Sequence, residues 1–204
     1  MSVKILGGMA KGSSLKVADN DLLRPTAVVL KRKLFDTYQD LENFIFLDLC
    51  AGAGTMGLEA WSRGVSRVFL VEKDFSIFKT LQANVQLMNV KYPVAVKERP
   101  IWAVKSEVVR WLAQYRDEVY LKLSVIDQQN HIIFFDPPYK MTELYKKVIE
   151  EQMLDGNWFL GRLWIEAESS NQREVASKIG RLQEKEEKVI TCGDRYIFLA
   201  NFSS

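Results

Sequence analysis

The run Ile132-Ile133-Phe134-Phe135 constrains this chain more than any other feature. Four successive apolar residues present a hydrophobic side chain to both faces of a strand, which suits a central parallel strand covered by helices on each side. Asp136-Pro137-Pro138-Tyr139 follows at once. Two prolines stop the strand, fix φ and restrict the residue before each, so a stiff loop forms at the carboxyl end. In a doubly wound sheet, that end beside the switch in strand order is where ligands sit.

The flanking sequence alternates in the same manner. It predicts strands at 44–47 and 68–71, a helical stretch ending near Arg63-Gly64 and a helix over 75–89. A weaker strand at 94–96, a helix over 103–115, a helix over 141–154 and a strand at 163–165 follow. Two last strands, near 187–191 and 196–201, flank the turn Cys192-Gly193-Asp194. This order implies an α/β fold, a mostly parallel doubly wound sheet with an antiparallel pair at its C-terminal end. Residues 1–25 read as a short strand or hairpin and a loop. Thr26 then caps a helix carrying Leu30, Leu34, Tyr38 and Leu41, with Lys31, Arg32 and Lys33 facing outward. The charged run from Gln183 to Lys188 reads as a solvated segment.

A chain of 204 residues, 48% apolar, suits one compact domain with a real core. No apolar run reaches the roughly 18 residues of a membrane span, and the N-terminus lacks a signal-peptide core, so a cytoplasmic location is expected. Cys50 and Cys192 lie far apart without a C-x-x-C pair, which argues against a disulfide framework or thiolate metal site. His131, the single histidine, reads as a surface or loop residue. One imidazole cannot build Ser-His-Asp or Cys-His hydrolases or a histidine-rich zinc site, and no metal is expected. The tryptophans at 102, 111, 158 and 164 read as packing. The net charge of +2 conceals a division, since residues 1–33 carry +5 and the remainder −3. A basic arm of that kind neutralises nucleic-acid phosphates, or else forms a solvated helix face.

Asp48-Leu49-Cys50-Ala51-Gly52-Ala53-Gly54-Thr55-Met56-Gly57 is the second functional signal. Glycines here let the backbone turn tightly and approach a ligand. The spacing also satisfies the dinucleotide fingerprint, so NAD is a rival. Asp48 at the strand end would repel a pyrophosphate and favour a cation. S-adenosylmethionine carries an ammonium and a sulfonium and no phosphate. Glu72, after the next strand, can accept both ribose hydroxyls under either reading. Cys50 reads as a semi-buried thiol rather than a nucleophile. In the Asp-Pro-Pro-Tyr motif, the Asp136 carboxylate and the Pro137 carbonyl can each accept one N–H of an aromatic amine, holding the nitrogen lone pair toward an electrophile. Tyr139 offers a ring for an unpaired base.

These motifs, with Ile5-Leu6-Gly7-Gly8, Lys11-Gly12, Leu23-Arg24-Pro25-Thr26, Gly57-Leu58-Glu59-Ala60, Ser62-Arg63-Gly64, Val71-Glu72-Lys73-Asp74 and Trp164-Ile165-Glu166, run along nearly the whole chain. Together they resemble the RsmD family, bacterial methyltransferases that modify guanine N2 in small-subunit (16S) ribosomal RNA. Asp-Pro-Pro-Tyr is shared with DNA adenine and other amino methyltransferases. Arg24-Pro25-Thr26 joined to Gly-Leu-Glu-Ala is far more specific to the family. Ser13 and Lys31-Arg32 depart from its pattern.

The resemblance implies a Rossmann-like class I methyltransferase domain over 43–204 and a small RNA-gripping extension over 1–42. S-adenosylmethionine would lie against Asp48, Cys50, Ala51, Gly52, Gly54, Glu72 and Lys73, with Glu107, or else Glu98, at its adenine. The target base would meet Asp136, Pro137, Pro138 and Tyr139, and RNA would meet Lys4, Lys11, Arg24, Thr26, Lys31 and Arg32. The implied partner is 16S rRNA or a partly assembled small subunit, the default oligomeric state a monomer. The residues also allow an amino methyltransferase acting on adenine in DNA, on tRNA or on protein, or a non-catalytic nucleic-acid-binding module with a nucleotide pocket.

Overall fold

The computed structural model describes residues 1–17, 25–138, 141–168, 177 and 179–203, with only the backbone described at 25 and 26. Strands β1 (Ser2–Lys4) and β2 (Ser14–Lys16) form an antiparallel hairpin. Helix α1 (Pro25–Thr37) leads into β3 (Ile45–Asp48), α2 (Thr55–Ser62), β4 (Arg67–Glu72) and α3 (Phe75–Lys91). Then come α4 (Pro93–Glu98), β5 (Ile101–Lys105), α5 (Val108–Glu118), α6 (Val125–Gln129) and β6 (His131–Phe135). Helix α7 begins at Thr142–Tyr145 and runs on through Lys146–Asp155 with π-type bonds. Strands β7 (Arg162–Glu168), β8 (Glu186–Cys192) and β9 (Arg195–Asn201) complete it.

One sheet has the order β5-β4-β3-β6-β7-β9-β8. Strands β5 to β7 of that order run parallel, and β9 is antiparallel to both β7 and β8. The chain winds outward from β3 to β5, then crosses back so that β6 pairs with the other side of β3. Alternate residues of β6 serve different cores. Ile132 and Phe134 pack with α1, α2 and α3, whereas Ile133 and Phe135 pack with α5 and α7. The two-faced apolar run therefore does what its composition requires. Among the described residues, no helix is long and apolar enough to cross a membrane.

Five local expectations need correction. Residues 94–96 belong to helix α4, not to a strand. Pro93 suits the first helical turn, where its missing N–H costs nothing. Val94 is 70% exposed, and the slot beside β4 goes to Ile101–Lys105, whose Trp102 stacks on Phe69 at 4.6 Å. Residues 103–105, placed in a helix by periodicity, thus end β5. Thr26 lies inside α1, which begins one residue earlier, so it is not the cap; Tyr38 and Leu41 fall beyond the helix end.

His131 is no surface residue but a fully buried one at the start of β6. Its Nδ1–H donates to the Asp127 carbonyl at 2.7 Å, and Nε2 accepts from the Tyr115 hydroxyl at 2.9 Å. Burial lowers its pKa to about 4, so the ring is neutral.

Lys31 is the fifth correction. It faces inward, 4% exposed, and ion-pairs at 3.7 Å with Glu59, which is wholly buried. Burial lowers the lysine pKa, and Glu59 opposes the shift. Glu59 also accepts from Arg63 Nε at 2.8 Å and from the Leu6 backbone N–H at 2.8 Å. One carboxylate thus joins α1, α2 and the loop of the N-terminal hairpin. Ser62 adds to this lock by accepting the Ala10 N–H and donating to the Gly7 carbonyl. Gly8 completes it. Its φ is +72°, and a Cβ there would stand 1.8 Å from the Ser62 carbonyl oxygen.

Glu59→Gln would leave Lys31 and Arg63 without their buried counter-charge. It should lower stability by about 3 kcal/mol, the scale for breaking a buried pair from one side. Hydrogen exchange should show early loss of protection at Leu6 and Ala10 with β6 still protected. Uniform change across the fold would show that Glu59 is not a local fastening.

Candidate active site

The carboxyl ends of β3, β4, β6 and β7 surround one cleft of about 660 Å³. Its floor is the turn after β3. Asp48, 1% exposed, accepts the Gly57 N–H at 3.0 Å, and Glu72 accepts the Gly52 N–H at 3.1 Å and the Asp74 N–H at 2.7 Å. Asp74 caps α3 by accepting from Ser76 and Ile77. Asn84 ties the turn to the hairpin, donating to the carbonyls of Ala53 and Lys16.

Burial and the neighbouring Glu72 push the Asp48 pKa up to about 7, with the Gly57 N–H pulling the other way. Cys50 lines the same cleft, and burial together with Asp136, Asp48 and Glu72 pushes its thiol pKa upward. It remains a thiol, not a nucleophile.

Not every residue of the turn reaches the cleft. Cys50, Ala51, Gly52, Glu72 and Lys73 line it, whereas Gly54 does not. Gly54 has φ +83° and a Cβ there would meet Leu81 at 2.6 Å, while a Cβ at Gly57 would meet Leu70 at 2.2 Å. These two glycines set α2 close against the sheet and α3. Glu107, the residue before α5, borders an adjoining depression of about 400 Å³ with Lys73, Asp74, Lys105 and Ser106. Glu98, the last residue of α4, lines neither space.

Across the cleft stand Asp136, Pro137 and Pro138, immediately beyond β6. Burial and the nearby Glu166 carboxylate raise the Asp136 pKa well above the usual carboxylate range, and Arg195 opposes them. Tyr139 lies outside the described residues, as does Arg24, and so does the side chain of Thr26. The structure thus brings Asp136 and both prolines to the turn carrying Asp48 and Glu72.

Glu166 and Arg195 also line the cleft, and residue-pattern reasoning did not single them out as site residues. The signal for Glu166 was present, since a charged residue inside an apolar strand is rarely buried without a partner. Lys31 lines the cleft as well, while Lys4, Lys11 and Arg32 are exposed on the hairpin and α1. The cleft therefore mixes five acids, Asp48, Glu72, Asp74, Asp136 and Glu166, with Lys31, Lys73 and Arg195. Among the described residues, no cluster of potential ligands could hold a metal ion.

This lining fits S-adenosylmethionine better than a dinucleotide. A helix N-terminus binds phosphate through unclaimed N–H groups. At α2 the Gly57 N–H is already taken by a carboxylate, whose charge would oppose a pyrophosphate and attract an ammonium or sulfonium.

A family model described as "Conserved hypothetical protein 95" matches residues 3–198. Ribosomal RNA small subunit methyltransferase D of Escherichia coli (strain K12) is 27% identical over 172 residues, covering 83% of this chain and 76% of that protein. Its namesake in Buchnera aphidicola subsp. Acyrthosiphon pisum is 29% identical over 168 residues, covering 82% and 74%. Among solved structures, a hypothetical protein of Thermus thermophilus aligns at TM-score 0.68 and 23% identity, over 98% of this chain and 99% of that one. The METTL16 methyltransferase domain aligns at TM-score 0.64 and 16% identity, over 94% and 74%.

Fold and cleft together define a class I methyltransferase. The turn after β3 and the loop after β6 form two walls of its cleft. The chain belongs to the RsmD family, whose model spans nearly all of it.

Asp48 has a measurable consequence for stability. A folded-state pKa raised to about 7 means that the folded protein binds this proton more tightly than the unfolded chain does. Its favourable contribution is therefore complete below about pH 4 and lost as pH rises toward about 7. Asp48→Asn keeps an acceptor for Gly57 and removes the buried charge. The ligand-free variant should melt a few degrees above wild type near pH 8, by roughly 2–4 °C per kcal/mol, and gain less near pH 5. Calorimetry at both pH values checks this, and an equal shift at both would refute it.

Proposed function

We propose that this protein transfers a methyl group from S-adenosylmethionine to the exocyclic N2 of a guanine in small-subunit (16S) ribosomal RNA. The observation carrying the reading is one cleft with Asp48 and Glu72 on one wall and Asp136-Pro137 on the other. S-adenosylmethionine, when bound, supplies the electrophilic methyl group. Asp48, Glu72, Lys73 and the Gly52 turn would hold it, and Glu107 borders the space for its adenine. The names of the curated relatives support ribosomal RNA as the substrate.

The chain's own contribution is orientation. An aromatic amine is a poor nucleophile because its lone pair is delocalised into the ring. By accepting one N–H each, the Asp136 carboxylate and the Pro137 carbonyl pull the nitrogen toward a tetrahedral geometry and aim its lone pair across the cleft. The nitrogen gives up its proton to solvent after the new bond forms, when that proton is strongly acidic. Asp136 therefore acts as an acceptor and no histidine is needed, in keeping with the burial of His131 away from the cleft lining.

The hairpin and α1 act as the RNA-gripping arm, with residues 43–204 as the catalytic unit. Among the described residues, the arm's exposed cations are Lys4, Lys11, Lys16, Arg32 and Lys33. Lys31 is reassigned from that surface to the cleft wall, and Lys33 donates to the Thr191 carbonyl at 2.9 Å. The protein works as a cytoplasmic monomer on naked 16S rRNA or an assembling subunit.

Asp136→Ala should bind S-adenosylmethionine nearly as wild type does and lower transfer by about 10² or more, the scale for losing one transition-state hydrogen bond. Labelled methyl transfer offered to unmodified 16S RNA, small subunits, tRNA and DNA in parallel reads both rate and substrate. Full activity of the variant would sink the orientation mechanism, and label entering only tRNA or DNA would move the substrate. Replacing Lys4, Lys11 and Arg32 by Gln should flatten the salt dependence of RNA affinity, by about one unit of slope for each phosphate no longer neutralised. An unchanged slope removes the arm from RNA binding.

A further inference from the structure

Glu166 sits inside β7, 7% exposed, and lines the cleft together with Asp136. Ile165 lies opposite Phe135 in the β6–β7 ladder, which sets Glu166 level with Asp136, one strand away. Arg195 of β9 donates through Nη1 to Glu166 Oε1 at 3.0 Å and through Nη2 to Glu168 Oε1 at 3.3 Å. A carboxylate held in a sheet interior carries a desolvation cost that main-chain pairing of β7 does not require. Two acids meeting at one cleft wall, one of them braced by a guanidinium, form a donor-reading surface.

Guanine suits that surface. Its reacting N2 amine and its ring N1–H lie side by side, both donors. Adenine sets a donor amine beside an acceptor N1, whose lone pair would face a carboxylate. We propose that Glu166 selects guanine by accepting the N1–H while Asp136 and Pro137 accept at N2, and that Arg195 is a positioning residue that holds the Glu166 carboxylate toward the base. This deepens the guanine-N2 reading and rests on it. The Asp-Pro-Pro loop, common to guanine and adenine chemistry, would then take its base identity from the adjacent strand.

The probe is an RNA made by splinted ligation with guanosine or 2,6-diaminopurine riboside at the methylated position. Both bases carry the same 2-amino group, but diaminopurine has an unprotonated N1. Wild type should favour guanine in kcat/KM by about 10-fold or more, the scale for one hydrogen bond replaced by a mismatch. Glu166→Gln, whose amide can turn its NH2 toward N1, should narrow the preference to about two-fold while binding S-adenosylmethionine as wild type does. A purely structural role for Glu166 would lower both rates and leave their ratio alone. Equal use of the two bases by wild type, or an unchanged ratio in the variant, overturns the assignment. If Glu166→Gln does not bind S-adenosylmethionine, the same ratio is read in Arg195→Gln, which frees the Glu166 carboxylate, and a preference as large as that of wild type overturns the assignment. Wild type that leaves guanine N2 unmethylated in every RNA overturns the reaction assignment itself, a result separable from a failure of Glu166.

Discussion

The site depends on the return of the chain across its own sheet. Strands β3, β4 and β5 are laid down outward, and β6 then pairs with the free edge of β3 in parallel register, Asp48 opposite Phe134. Parallel strands all end on the same side, so this pairing brings Asp48 and Asp136 to one cleft although they stand far apart in the sequence. Covering both faces of β6 with helices makes the pairing stable and also desolvates the acids at its end. Asp48, Asp136 and Glu166 all have raised pKa values with burial as the leading cause. A cationic ligand entering here relieves a cost that the ligand-free fold carries.

The Gly-Leu-Glu-Ala segment, one part of the pattern most specific to the family, has mechanical work. Glu59 of the Gly-Leu-Glu-Ala segment is buried in α2 and fastens Leu6, Lys31 and Arg63. Gly8 and Ser62 close the same lock. The hairpin and α1 are thereby set against the methyltransferase sheet, with Val17 and Lys31 on the cleft wall. Such an anchor fixes the hairpin relative to the cleft. Of the cations in that segment, Lys31 is turned inward and lines the cleft.

The legible parts of the chain were those where local chemistry and tertiary position demand the same thing. The strand at 132–135 must be buried on both faces, and the prolines at 137 and 138 must end it. The turn from 48 to 57 needs glycines whichever ligand it holds. Residues 94–96 and 103–105 misled because short apolar runs carry no reliable period, and an available edge beside β4 was filled by the segment able to stack Trp102 on Phe69. His131 and Lys31 misled for a different reason. A polar side chain is read as exposed by default, and only partners distant in sequence, Tyr115 for one and Glu59 for the other, make burial tolerable.

From the sequence alone followed the α/β class, the two turns at strand ends and the resemblance to the RsmD family. Those features are local, written in apolar runs, glycines, prolines and one carboxylate at each strand end. Tertiary structure decided that Gly54 serves packing rather than the cleft wall, that Lys31 leaves the surface, and that Glu166 and Arg195 join Asp136. The reason is that strand order and cross-strand register set which charges meet. Neither is encoded in the spacing of any single segment, and both arise only when helices on each face close the sheet around β6.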